Sequence, residues 1–288
     1  GTGNNWYYGN VAVKDGKIVK AGRDILDSAA SVIIDATGLV VAPGFIDVHT
    51  HIEDNEAKDP TAANFIYDGV TTVVTGNCGE SNTDIGKYLS WLHSLRLSVN
   101  VATLIGHNDV RKAVMGLANR DATPQEMLQM EAMVNKAMQD GAVGLSTGLI
   151  YIPGTYTKTP EIIALAKIVS KYGGVYATHI RDEGDSVVSA INEAIAIGRE
   201  AGIPVEISHF KLSGQQNWGR SKETIQMVKT AREQGIEVTI DQYPYTASST
   251  SISTLLPDEI LADGQDSIRA RLQNEAIKKD VVAYMLKR

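Results

Sequence analysis

The sequence contains one cysteine, Cys78, so no internal disulfide can form. It has no block of Lys or Arg and carries a net charge of −7. That argues against nucleic acid or an anionic membrane as a partner. No apolar run approaches the ~20 residues of a membrane span, and no basic-then-apolar leader opens the chain. The expected compartment is therefore the cytoplasm. Neither GxGxxG nor GxxxxGK[ST] follows any apolar run, so no nucleotide cradle is expected.

What is present is ordinary globular material. Of 288 residues, 43% are hydrophobic and 21% charged, enough to bury a sizeable core. Residues 1–42 read as a small β unit. Val11-Ala12-Val13 and Ile18-Val19 flank Asp15-Gly16, which predicts a hairpin. Ser31 to Asp35 and Leu39 to Val41 read as two further short strands.

From Gly44 the texture changes, and residues 43–288 read as a second, larger domain. Apolar, β-branched runs alternate with helical patterns. The runs are Gly44–Val48, Thr71–Thr75, Asn100–Ile105, Val143–Leu145, Val175–Thr178, Pro204–Ser208 and Glu237–Ile240. Helices are predicted over 57–67, 84–95, 123–140, 159–172, 187–201 and 221–234, with a charged helical segment over 266–287. Units of this kind, at roughly 30-residue spacing, imply a parallel sheet, and a TIM-type (β/α)8 barrel above an open one. Seven of the eight strands are visible.

In such barrels functional groups sit at the carboxyl ends of strands. Those ends here carry His49 and His51, Cys78, His107, Tyr151, His179, His209 with Lys211, and Asp241 with Tyr243. Of the six histidines, only His93 falls inside a predicted helix, where a surface role is expected. In His49-Thr50-His51 the two imidazoles share a face because strand side chains alternate. Imidazoles with one thiolate suit zinc, which can activate water and polarise a carbonyl. Hydrolysis of an amide or related bond follows. Asp47 is expected to make a structural hydrogen bond near the histidines. Glu53 and Asp54 are loop carboxylates within possible reach of the metal's ligands.

The motifs then resemble a known group. Val41-Ala42-Pro43-Gly44 through His51 looks like the opening of the amidohydrolase superfamily, whose fold is a (β/α)8 barrel beside a small β-sandwich. The finer match is to the N-acyl-D-amino-acid deacylase (D-aminoacylase) family. It rests on Gly76-Asn77-Cys78-Gly79, Gly106-His107, Gly144 to Leu149 with Tyr151-Ile152-Pro153-Gly154, Thr178-His179-Ile180-Arg181, Ser208-His209-Phe210-Lys211 and Tyr243-Pro244-Tyr245.

The resemblance implies roles residue by residue. Cys78, His179 and His209 would hold a tight zinc, with His49 and His51 at a weaker second position. Lys211, Tyr151 and Tyr243 would receive the α-carboxylate of a small-molecule N-acyl-D-amino acid. His107 and Ser249 would line the pocket. The fourth run, Val143 to Thr147, has no lysine to bridge two metals, which fits the D-aminoacylase variant. The family's proton-transferring aspartate belongs to an eighth strand. That strand is expected beyond residue 288, so the chain would correspond to roughly the first 60% of such an enzyme. Two rival readings are a hydrolase of cyclic amides or D-dipeptides, and a catalytically silent, incomplete barrel.

Overall fold

Asp15 and Gly16 both adopt left-handed backbone, with φ of 51° and 71°. This is the conformation a tight two-residue hairpin turn requires. They join β1 (Asn10–Lys14) and β2 (Lys17–Gly22), which pair antiparallel with a register shift at Ala12/Val13. The structure is a computed structural model describing residues 5–53 and 55–286, so Asp54 and Lys287 lie outside the described residues. It divides into two compact units, Gly1–Phe45 and Ile46–Arg288.

The two further strands expected in the first unit do not form. Ser31–Asp35 and Leu39–Val41 run as bends and irregular chain, with Ile34 85% and Val40 87% exposed. Their β-branched composition favours a half-buried pleated surface, but a strand needs a neighbour. Among the described residues these segments pair with none.

The second unit alternates strand and helix. Its strands, the first of them beginning at the boundary residue Phe45, are β3 (Phe45–Asp47), β4 (Val70–Thr75), β5 (Asn100–Thr103), β6 (Ile105–Gly106), β7 (Gly144–Gly148), β8 (Val175–His179), β9 (Val205–Ile207) and β10 (Val238–Ile240). Two sheets result, in the orders β3-β4-β5 and β10-β9-β8-β7-β6. Pairing is parallel between β4 and β5 and along the series from β6 to β10. The third predicted run is thus split at Leu104. Its halves serve different sheets, and backbone bonds from Leu104 to Thr75 and from Val143 to Thr103 tie the two together.

The intervening helices are α1 (Ala63–Tyr67), α2 (Ile85–Leu95), α3 (His107–Met115), α4 (Pro124–Gln139), α5 (Thr159–Ser170), α6 (Val187–Ala201) and α7 (Ser221–Glu233). After β10 come α8 (Asp258–Leu261), α9 (Gln265–Gln273) and α10 (Glu275–Met285). Local chemistry explains most boundaries. Thr123 and Glu126 form a capping box at the start of α4. Asn274 breaks the long C-terminal helix expected from sequence, because its side chain accepts from Ala276 and Ile277 and starts α10 afresh. Helix α1 is shorter than expected. Pro60 lacks an amide donor, and Ala62 is left-handed at φ 48°, so residues 57–61 form turns. Helix α3 is an element the apolar pattern does not announce.

The core lies between β6–β10 and the helices. Leu145, Tyr176, Val205, Ile207 and Val238 meet Met130, Val134, Leu165, Val169, Ile191, Ile197 and Val228. Each fully buried side chain of this kind contributes about 1.5–3 kcal/mol, so strand register is strongly fixed. The register that buries Tyr176 turns Ala177 and His179 to the opposite face of β8. Among the described residues no helix is long and apolar enough to cross a membrane.

Candidate metal centre

Cys78 sits just beyond the end of β4, in a tight turn rich in left-handed backbone. Gly76, Cys78 and Gly79 all have positive φ, of 77°, 54° and 82°. The turn is packed against its neighbours without room for side chains. A Cβ on Gly76 would lie 2.3 Å from Leu104 O, and one on Gly148 would lie 2.1 Å from Cys78 O. Ser146 Oγ accepts from Gly79 N at 3.0 Å and donates to Gly76 O at 2.5 Å. Asn77 Nδ2 donates to Val74 O at 3.0 Å.

Three histidines converge on this thiol. Cys78 Sγ lies 3.5 Å from His49 Nε2, 3.7 Å from His209 Nε2 and 3.9 Å from His179 Nδ1. Two groups have a metal-ligand arrangement: Cys78 with His179 and His209, and Cys78 with His49 and His51. Tetrahedral zinc, with bonds of about 2.3 Å to sulfur and 2.0–2.1 Å to nitrogen, sets such donors about 3.5 Å apart. The spacings match.

The electrostatics fit the same ion. Burial pushes the Cys78 thiol up to about 12, with Asp241, Glu80 and Glu183 adding to the effect and Lys211 opposing it. A thiolate here needs a cation beside it. Burial, with the neighbouring positive groups, lowers His179 to about 3, so its imidazole is neutral and able to ligate. His51, though exposed at its surface, is lowered too, first by desolvation and then by the charge of His49. Among the described residues the buried Nε2 of His179 has no hydrogen-bond partner.

Two carboxylates that sequence reading did not assign to this role brace the imidazoles. Asp241, just beyond β10, places Oδ2 3.1 Å from His49 Nδ1, and its Oδ1 accepts from the backbone N–H of His209 at 2.6 Å. His209 is itself left-handed at φ 37°. Glu183 Oε1 lies 2.9 Å from His209 Nδ1 and 3.8 Å from His179 Nε2, and accepts from Lys211 Nζ at 2.5 Å. Burial would raise Glu183, but the hydrogen bond from His209 and the charges of His179 and Lys211 outweigh it and hold the group down to about 2. The available sequence signal for Glu183 was its place four residues after His179.

Three of the five expected substrate contacts gather around the cluster. Lys211 Nζ stands 5.7 Å over the Tyr243 ring, and Tyr243 stacks on Tyr245. The Tyr151 ring centroid is 4.9 Å from that of His179, and its hydroxyl is 3.0 Å from Thr250 Oγ1. Ser249 is exposed, and its neighbour Thr250 makes the contact with Tyr151.

His107, expected to line the pocket, is held by partners within the fold. It opens α3 directly after β6 ends at Gly106, and it is fully buried. Its Nε2 lies 2.9 Å from Glu161 Oε1, and Arg111 Nη1 donates to Glu161 Oε2 at 2.6 Å. These contacts place the histidine beside a buried ion pair between α3 and α5. Asp47 Oδ1 accepts from His49 N at 3.1 Å, the structural bond expected of it. Glu53 reaches Thr75 Oγ1 at 2.5 Å and Gly76 N at 2.7 Å, tying the two loops together. His93 is exposed on α2.

A cluster of nitrogen and sulfur donors at the carboxyl ends of parallel strands is the arrangement many metal-dependent hydrolases use. A model of the amidohydrolase family matches residues 32–235, and the chain belongs to that family. It is 39% identical over 282 residues to the D-aminoacylase of Alcaligenes xylosoxydans xylosoxydans, covering 90% of this chain and 57% of that protein. Among solved structures it resembles one of D-aminoacylase described as having a binuclear metal center, with a TM-score of 0.82 and 37% identity. That match covers 88% of this chain and 59% of the other. It also resembles N-acyl-D-glutamate deacylase from Bordetella bronchiseptica, complexed with zinc and a phosphonate inhibitor. There the TM-score is 0.76 at 36% identity, over 85% of this chain and 56% of the other. The chain therefore spans a little over half the length of the relatives it matches.

Proposed function

We propose that the protein is a zinc-dependent deacylase, hydrolysing the amide bond of N-acyl-D-amino acids to a carboxylate and a free D-amino acid. The fold reading that goes with it is a (β/α)8 barrel over residues 43–288, with residues 1–42 part of a small β-sandwich. The observation that carries the proposal is the meeting of two groups at one rim. Cys78, His179 and His209 offer one metal site, and Lys211, Tyr151 and Tyr243 stand directly beside it. His49 and His51 share Cys78 as a second, weaker position.

A bound Zn²⁺ supplies Lewis acidity and a water nucleophile at neutral pH. The chain's own residues do the rest. Lys211 offers a compact positive charge to the substrate's α-carboxylate, and the tyrosine hydroxyls offer neutral donors. Together they hold the amide carbon against the metal side, where orientation supplies much of the rate. Asp241 and Glu183 keep the imidazoles facing inward. Proton transfer is assigned to no residue of this sequence.

The D configuration and the acyl group come from the relatives' names. A substrate panel tests them: N-acetyl-D-amino acids, their L forms, hydantoins and dihydroorotate, with zinc measured alongside. Turnover of the D series, with about one tight zinc per chain that is lost in Cys78→Ala, is expected. Zinc-free wild-type protein, or turnover of the cyclic amides alone, would overturn the proposal.

A further inference from the structure

The geometry points to Glu183 as a positioning residue that selects the tautomer of His209, and so decides which of its nitrogens faces the metal. The inference rests on the reading of Cys78, His179 and His209 as a metal site. It goes beyond that reading in naming what orients the site.

Glu183 lies on the loop that follows β8, and this loop is anchored at several points. Arg181 spans the loop's base. It donates through Nε and Nη2 to both carboxylate oxygens of Glu193 on α6, each at 2.9 Å, and to the carbonyls of Thr155 and Thr157 at 3.0 and 2.9 Å. Gly184 N donates to Asp182 Oδ1 at 2.5 Å. The backbone carbonyl of Glu183 accepts from Ser213 N at 2.7 Å, joining this loop to the one that follows β9.

Its Oε1 is the meeting point of two donors. His209 Nδ1 is 2.9 Å away and Lys211 Nζ 2.5 Å away, while the two nitrogens are 3.1 Å from each other. Two arrangements of protons are conceivable. In one, His209 carries its proton on Nδ1 and donates to Glu183. In the other, Lys211 donates to a bare Nδ1, and the proton sits on Nε2. The second leaves an N–H pointing toward Cys78 Sγ, 3.7 Å away, and no lone pair for a metal. The first frees the Nε2 lone pair on that side.

The first also satisfies every group. Lys211 keeps two acceptors, Glu183 Oε1 and the carbonyl of His209 at 3.1 Å, and retains a third donor for substrate. An ionised carboxylate between two nitrogen donors attracts both and offsets their mutual repulsion. Neutral imidazoles in water favour the proton on the other nitrogen by a small margin. One charge-assisted hydrogen bond is enough to reverse it. The same oxygen that sets the histidine also fixes the lysine, so metal binding and substrate-carboxylate binding share one support.

The test is nitrogen-15 imidazole spectroscopy of the zinc-free protein at about pH 8, where an ordinary imidazole is neutral. It would be run on wild type, Glu183→Gln and Glu183→Ala, with His209→Asn to assign the signal. Zinc affinity by competition with a chromophoric chelator is the second readout. Wild type should show His209 protonated at Nδ1, and Glu183→Ala should move it toward the Nε2 form. Zinc binding should weaken about 10–100-fold in Glu183→Ala. Glu183→Gln should lie between, because an amide oxygen can occupy the Oε1 position without the charge. A merely structural role would lower the melting temperature and leave the wild-type tautomer in both variants. If Glu183→Ala fails to fold, the isosteric Gln variant carries the test. A wild-type His209 protonated at Nε2, or zinc affinity unchanged in both variants, would overturn the inference. Neither readout uses a substrate, so absence of deacylase turnover would count against the proposed function and not against this one.

Discussion

Asp241 and His49 are 192 positions apart in the chain, yet the carboxylate Oδ2 lies 3.1 Å from the imidazole Nδ1. The other oxygen accepts from the backbone of His209, so one side chain braces ligand candidates from two strand ends. Asp241→Asn keeps the shape and removes the charge that orients His49. Zinc affinity at the second position is expected to fall about 10-fold or more, with a smaller loss at the first. Metal titration of the purified variant, followed by elemental analysis, reads this out. Equal affinities at both positions in variant and wild type would refute it.

Cys78→Ser removes the donor shared by both groups. Metal binding to the native state adds stability, about 2.7 kcal/mol when free zinc is 100 times the Kd. Wild type should therefore melt at a higher temperature in zinc than in chelator, and the variant should show no difference. An equal zinc-dependent rise in both proteins would remove Cys78 from the site.

Arg111→Met strikes the buried ion pair with Glu161. Arg111 is fully buried, and Glu161 would be left beside His107 without its guanidinium. Breaking such a pair by removing one partner costs about 3–5 kcal/mol. The same pair predicts a pH dependence. Burial raises Glu161, but the bond and charge from His107 and the charge of Arg111 outweigh it and hold its carboxyl below the ordinary range. A carboxyl depressed on folding adds stability above its unfolded pKa, and that stability is lost as pH falls through the folded value. Urea midpoints should thus drop on acidification in wild type, and drop less steeply in Arg111→Met. Identical slopes would mean that the pair carries no linkage.

Gly148→Ala tests how tightly the thiol is held. The added Cβ meets Cys78 O at 2.1 Å and the Tyr151 ring at 2.7 Å, and neither backbone can yield without moving the cysteine turn. Overpacking of this kind costs about 1–3 kcal/mol. Zinc affinity should fall along with the melting temperature. A variant with wild-type zinc binding would show that the turn can shift without moving the sulfur.

Lys211→Met keeps the stem over Tyr243 and deletes the charge. Loss of a hydrogen bond to a charged group, worth about 1.5–3 kcal/mol, corresponds to a KM raised roughly 10- to 150-fold for an N-acyl-D-amino acid. Steady-state kinetics on the acid and its uncharged methyl ester separate the effects, because the ester should lose little. An equal loss on both would assign Lys211 to positioning His209 alone.

Much of this was legible in the chain. The alternation of β-branched runs with helical patterns announced a parallel α/β fold, because both periodicities follow from backbone geometry. His49, His51, Cys78, His179 and His209 stood out because ligand types recur at the ends of those runs, and the structure brings them together. Where prediction failed, the missing information was in neighbours. Residues 31–35 and 39–41 have strand composition, but pairing is a property of two segments, and none of the described strands lies alongside. His107 followed an apolar run as the others did, and its contact with Glu161, 54 positions further on, is nothing that the run announces. Composition set which groups could ligate a metal. Only the tertiary structure set Glu183 and Asp241 against them, because a carboxylate's role depends on which nitrogen lies within hydrogen-bonding reach, and chain spacing carries no such distance.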